Sequence, residues 1–180
     1  MNIKAQCTFI WIVGVTLLVS SCGFKLRGDY SLPSGIKQLE LTANQKNTPL
    51  HRMLRNQLQA FDIKVLDNSQ KSNTLNNTID AKVYLKSDQL ERRLLSLFST
   101  GQVAEYELVY TIKYLIQFAN DEAQLMEFDV TREYQDDPDA VLAKSRELDL
   151  IQNEMRNEAA ARIIRQLASS YTSWQQVTAH

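Results

Sequence analysis

Glu105 and Glu107 lie two residues apart in a stretch that reads as a strand, so both carboxylates point to one face. That spacing could in principle serve acid/base chemistry, in which one carboxyl donates a proton while the other accepts one. A solvated strand face explains the pair more simply. The other raw materials of catalysis are scarce. The only histidines are His51 and His180, and the chain has no GxSxG, no HExxH and no glycine-rich phosphate loop. No metal-ligand spacing, nucleophile or cofactor motif is present, so the expectation is a protein that is not an enzyme, with no metal and no cofactor. Binding or assembly is left.

The cysteines carry a more definite chemistry. Lys4 opens the chain with a positive charge, Phe9 to Val19 forms an apolar run, and the run ends on Val19-Ser20-Ser21-Cys22. This is the layout of a secretory signal. The apolar run covers 11 residues, against the roughly 20 that a helix needs to span a bilayer. An aliphatic residue and two small ones directly before a cysteine resemble the bacterial lipobox, which predicts cleavage before Cys22 and lipidation of its sulfur and amine. Several alkyl chains, each buried CH2 contributing about 0.8 kcal/mol, give an anchor that does not readily leave a membrane. Gly23 follows the cysteine instead of Asp, which resembles the pattern of enteric-type lipoproteins sent on to the outer membrane, so the outer membrane is expected.

Removal of residues 1–21 from the 180 leaves 159 and takes Cys7 with it, so no disulfide can form within the mature chain. Loss of Lys4 leaves 19 basic and 21 acidic residues, a net charge of −2. Such a balance gives no global field for nucleic acid, and any anion site must be local. The length fits one domain.

These expectations define the elements that must position any site. Residues 22–35, with Gly23, Gly28, Pro33 and Gly35, read as a lipidated tether. A single domain is expected over 36–172 and a C-terminal tail over 173–180. Lys37 to Thr42 alternates Leu39 and Leu41 with polar neighbours, a first strand. Thr48-Pro49 starts a helix running to about Ala60, with Leu50, Met53, Leu54, Leu58 and Phe61 on one face that packs on the core. A short apolar run, Ile63 to Leu66, precedes a polar loop over 67–77. Three long strands follow: Thr78 to about Leu90, Val103 to Phe118 and Gln124 to Gln135, with a hairpin turn at Asn120-Asp121. An amphipathic helix from about Asp139 to Tyr171 closes the domain. Two helices packed on one face of a mostly antiparallel four-stranded sheet make an α+β two-layer sandwich.

Four stretches carry a family resemblance: Cys22-Gly23-Phe24-Lys25-Leu26-Arg27-Gly28; Thr100-Gly101-Gln102-Val103-Ala104-Glu105-Tyr106-Glu107-Leu108; Arg132-Glu133-Tyr134 through Asp137-Pro138 to Val141-Leu142-Ala143-Lys144; and Glu154-Met155-Arg156 through Ala159-Ala160 to Ile163-Ile164-Arg165-Gln166-Leu167. In order and spacing they resemble the LPS-assembly lipoprotein LptE family. The resemblance implies a periplasm-facing outer-membrane lipoprotein that plugs the β-barrel LptD and helps deliver lipopolysaccharide to the outer leaflet. A domain of 159 residues has a radius of gyration of about 15 Å, which only a very wide barrel could enclose. Lipopolysaccharide carries phosphates, so its binding calls for converging Lys or Arg. Lys144 matches the family's basic position in Leu-Ala-Lys, and Arg92 and Arg93 lie just upstream of the Gly101 turn. Adjacent arginines also serve as edge protection. Ser99 departs from the pattern, because some members carry a basic residue before the turn. Leu94, Leu95, Leu97 and Phe98 form an apolar tip beside it. The alternative is a stand-alone lipoprotein that binds or inhibits a soluble periplasmic ligand.

Overall fold

Thr48 and Pro49 start the first helix as their types require. Thr48 is extended, with ψ 156°, and its Oγ1 accepts the His51 N–H at 3.2 Å. Pro49 occupies the first helical position, where its missing N–H costs nothing. In this computed structural model, which describes residues 35–66, 79–119, 121–137 and 139–178, the helix α1 spans Pro49–Ala60 and buries Leu50, Leu54 and Leu58 completely. Phe61, expected on that buried face, instead caps the helix end beyond Ala60, where the backbone leaves helical geometry, and is 41% exposed. The helix follows β1 (Gln38–Ala43), whose Leu39 and Leu41 face the same core. The chain then forms β2 (Lys64–Leu66), β3 (Ala81–Leu97), β4 (Val103–Phe118), β5 (Gln124–Gln135) and the helix α2 (Val141–Thr178). Residues 1–34, with the signal, Cys22 and most of the tether, and the expected polar loop over 67–77 lie outside the described residues.

The two-layer α+β sandwich stands as expected, with one change: the sheet has five strands, ordered β2-β1-β3-β4-β5. The added strand is β2, three residues long and parallel to β1 through Gln38↔Lys64 and Glu40↔Leu66. A strand this short shows no period, so its sequence reads only as an apolar run. β1 also pairs parallel with β3, whereas β3, β4 and β5 pair antiparallel, making the sheet mixed. One face carries Val83, Leu108, Ile112, Tyr114, Ile116 and Val130 into the core. There they meet α1 and the Met155, Ala159, Ile163 and Leu167 stripe of α2.

β4 and β5 have the bounds their alternation predicts. β3 does not: it begins at Ala81 and runs to Leu97, seven residues past Leu90. Its start is set by Asp80, whose Oδ2 accepts both the Lys37 and Gln38 N–H groups at 2.8 and 2.9 Å. Its period breaks at irregularities between Leu85 and Ser87 and again between Leu94 and Leu97, while pairing with β4 continues through both. The tip turns at Gly101, φ +84°, and is closed by Gly101 N–H to Phe98 O at 2.9 Å and Phe98 N–H to Gln102 O at 2.8 Å. At the opposite end Asp121 N–H bonds Phe118 O at 3.0 Å, with Ala119 taking the left-handed φ of +47°. α2 continues past the expected end at Tyr171 to Thr178, through residues read as a tail. It contains neither Gly nor Pro, so no residue type compels it to stop.

Candidate functional site

Strand alternation decides which basic residues can act together. Arg92 pairs with Leu108, which is fully buried, so Arg92 projects from the helix-bearing side of the sheet. Arg93 pairs with Glu107 on the opposite, open face. There its guanidinium lies 3.4 Å from Glu91 and 3.8 Å from Glu107. The adjacent arginines therefore serve two surfaces.

The site around Arg92 is organised by Tyr134. This ring lies on β5, is 4% exposed, and donates its hydroxyl to the Lys144 backbone oxygen at 2.9 Å. The bond fastens the first turns of α2 to the last residues of β5. The Lys144 ammonium stands 5.6 Å from the ring centroid and forms an ion pair with Glu147 at 2.9 Å. Hydrogen bonding to Glu147 raises the Lys144 pKa above its ordinary value, against a smaller lowering by partial desolvation. Burial raises the Tyr134 pKa, Asp136 adds to the rise, and Lys144 and Arg92 oppose it. Arg92 and Lys144, some fifty residues apart in sequence, thus act on the same phenol.

The register also shows a basic residue not singled out from the sequence. Leu108 pairs with Arg92 on one side and Arg132 on the other, so the two arginines flank it in one row across three strands, with Cβ atoms roughly 10 Å apart. Arg132 forms a close ion pair with Glu158 on α2. Its place in the Val130-Arg132-Tyr134 alternation was visible; its alignment with Arg92 requires the strand register.

Beside Lys144 lies an open cleft of about 520 Å³ between the hairpin tip and the loop into α2. Phe98, Ser99 and Thr100 line one wall and Asp136, Asp137 and Asp139 the other, with Lys144 at the edge. Three carboxylates against one ammonium make this an unfavourable seat for a phosphate. Arg92 and Arg132 are not part of this lining. Ser99 on the cleft wall adds no charge there. Leu94, Leu95, Leu97 and Phe98 are each 44–54% exposed, so the apolar tip is a surface and not part of the core.

The carboxylates that opened the question of acid/base chemistry are bound into the open face. Glu105 accepts from Ser96 at 2.9 Å and from Gln135 at 3.3 Å, and Glu107 faces Arg93. Lys113 with Glu127 at 2.9 Å and Thr111 with Asp129 at 2.6 Å continue the cross-strand ladder. His51 is buried on the inner side of α1. Among the described residues no cluster of His, Cys, Asp or Glu is arranged to hold a metal, and no helix is long and apolar enough to cross a membrane.

The model of the lipopolysaccharide-assembly LptE family matches residues 36–167. The chain belongs to the LptE family. It is 31% identical over 160 residues to the LPS-assembly lipoprotein LptE of Pectobacterium atrosepticum, covering 88% of this chain and 84% of the relative. Identity to the LptE of Photorhabdus laumondii is 29% over 167 residues, covering 92% and 87%. Among solved structures, the rare lipoprotein B of Shewanella oneidensis superposes with a TM-score of 0.67 at 37% identity, covering 77% of this chain and 98% of that one. A lipoprotein B of Nitrosomonas europaea gives 0.65 at 29% identity, covering 83% and 93%. The LptE assignment makes this chain a cell-envelope lipoprotein of lipopolysaccharide assembly, and its fold is that of LptE-like lipoproteins.

Proposed function

We propose that this LptE-family chain is lipidated at Cys22, faces the periplasm from the outer membrane, and occupies the lumen of the LptD β-barrel while contacting lipopolysaccharide. The family match over residues 36–167 carries this reading. The geometry agrees with it. A plug in a polar lumen needs an exterior of satisfied polar groups, and the open sheet face supplies one through the Arg93–Glu107, Lys113–Glu127 and Thr111–Asp129 pairs. The phosphate-binding role is assigned to Arg92 and Lys144, both of which act electrostatically on Tyr134, with Arg132 in the row of Arg92. A phosphate arriving there takes the place of Glu147 on the Lys144 ammonium and adds charge-assisted bonds from the arginines. Arg93, held by two glutamates on the open face, is assigned to the barrel-facing surface instead.

Pull-down of the tagged chain from detergent-solubilised outer membranes tests the partner. Recovery of a large barrel at near one-to-one ratio is expected, and recovery of the lipoprotein alone overturns the plug reading. Lipopolysaccharide capture by the recovered complex tests the site. Arg92→Glu and Lys144→Glu are expected to weaken capture, and Arg93→Glu to leave it near wild type. Equal loss in all three refutes the assignment by face.

A further inference from the structure

α2 changes character along its length. From Val141 to Arg165 it carries nine charged side chains; from Gln166 to Thr178 it carries none. The polar groups of that last stretch are largely satisfied within the helix itself. Ser169 Oγ bonds Gln166 O at 3.0 Å, Thr172 Oγ1 bonds Ala168 O at 3.0 Å, Ser173 Oγ bonds Ser169 O at 3.1 Å, and Thr178 Oγ1 bonds Trp174 O at 3.0 Å. Hydroxyls returned to their own helix carbonyls require little from water, which lets a polar segment lie in a poorly hydrated layer. Tyr171 meets Phe118 edge to face and Trp174 lies tilted against both, with centroids 5.4 to 5.8 Å apart. One turn on from Trp174, Val177 is 77% exposed.

This uncharged aromatic end is also where the chain leads back toward its anchor. Gly35 lies so close to Tyr171 that a Cβ at 35 would come within 2.9 Å of the Tyr171 ring. Cys22 is thirteen residues earlier, and thirteen residues reach at most about 45 Å. Phe118, which touches Tyr171, ends β4, and the sixteen residues of that strand place Val103 about 50 Å farther away. The aromatic end of the domain is therefore the end from which the tether toward Cys22 departs.

We propose that the last turns of α2, from Gln166 to Thr178 with Trp174 at their centre, rest in the headgroup layer of the leaflet that holds the lipid anchor. Tyr and Trp suit that layer because their rings are apolar and their N–H or O–H remains hydrogen-bonded. The absence of charge there removes the desolvation cost that a Lys or Glu would impose. The inference rests on lipidation at Cys22, which a separate readout checks.

Trp11 is lost with residues 1–21, so Trp174 is the sole tryptophan of the mature chain and reports on this end alone. The test uses the mature lipidated protein in phosphatidylethanolamine–phosphatidylglycerol vesicles, with and without bromine on the acyl chains near the headgroups. Mass spectrometry confirms the lipid, and flotation confirms attachment. Loss of Trp174 emission in brominated vesicles is expected, together with protection from aqueous acrylamide. Val177→Glu, at a position outside the core, is expected to restore emission while helix content and Tm stay unchanged. A lipidated chain that floats with equal emission in both vesicles overturns the inference and leaves the lipoprotein reading intact. Shielding from acrylamide without quenching by bromine also overturns it, by showing protein cover at Trp174. A chain that carries no lipid and does not float removes both readings together.

Discussion

Replacing Tyr114 by Phe removes one hydroxyl from the middle of the contact between the sheet and α2. Tyr114 is fully buried on β4, its ring edge meets Phe128 at 6.1 Å, and its hydroxyl donates to Gln166 Oε1 on α2. Burial pushes its pKa up from 10.0 to about 12, with Arg162 acting in the opposite sense. A raised pKa in the folded state means that, above pH 10, the unfolded chain releases this proton while the folded chain keeps it. The unfolded state then binds fewer protons, so stability is complete below pH 10 and falls as pH rises toward 12. Two pKa values two units apart cost about 1.4 kcal/mol by pH 11, and the loss levels off near 2.7 kcal/mol above pH 12. Tyr114→Phe keeps the ring, loses the hydrogen bond and abolishes this ionisation. At pH 8 the variant should be less stable by about 1 kcal/mol. At pH 11 the wild type gives up that lead, and the variant becomes the more stable by a few tenths of a kcal/mol. Tyr110 and Tyr134, whose pKa values are also raised, remain in both proteins and cancel in the difference. Urea unfolding at the two pH values, with equal m-values required, measures the crossing. Parallel pH profiles for wild type and variant would refute the view that Tyr114 is held protonated against α2.

Two further perturbations probe the ends of the elements. Thr48→Ala removes the side-chain acceptor of the His51 N–H and should destabilise the domain by about 1 kcal/mol in urea unfolding, while Thr48→Ser should cost little. Gly35→Ala drives a methyl group into Tyr171 and should cost roughly 1–3 kcal/mol. In a double-mutant cycle, Tyr171→Phe should recover only part of that cost, because the ring carbons remain within 2.9 Å of the new Cβ; simple additivity would show that the two residues do not touch.

Much of the framework was legible because its signals are local. Thr48-Pro49 announced α1, and the unbroken alternation of β4 and β5 gave their bounds. What escaped depends on pairing across the chain. β2 is a strand because β1 lies beside it, and three residues cannot display a period. The far half of β3 holds its conformation through hydrogen bonds to β4, although its exposed Leu94, Leu95 and Leu97 sit among irregularities that destroy the apolar rhythm. α2 outran its amphipathic stripe because Ser, Thr and Gln continue a helix when nothing stops it and their hydroxyls bond back to its carbonyls.

The site shows the same division between local and distant information. That Arg92 and Arg93 must face opposite ways follows from strand geometry alone once the strand is known to reach them. Reading the strand only as far as Leu90 left them together as one candidate. Their separation has a consequence for assembly. On the open face Arg93 is neutralised by Glu91 and Glu107, so that surface can meet a polar wall without an unpaired charge. On the helix side Arg92 and Arg132 flank a single buried leucine, with Lys144 held nearby through Tyr134. Glu158 pairs with Arg132 and Glu147 with Lys144, which offsets the repulsion among like charges on this face. In the proposed role, an arriving phosphate takes over from those glutamates, so that one anion is exchanged for another on this face.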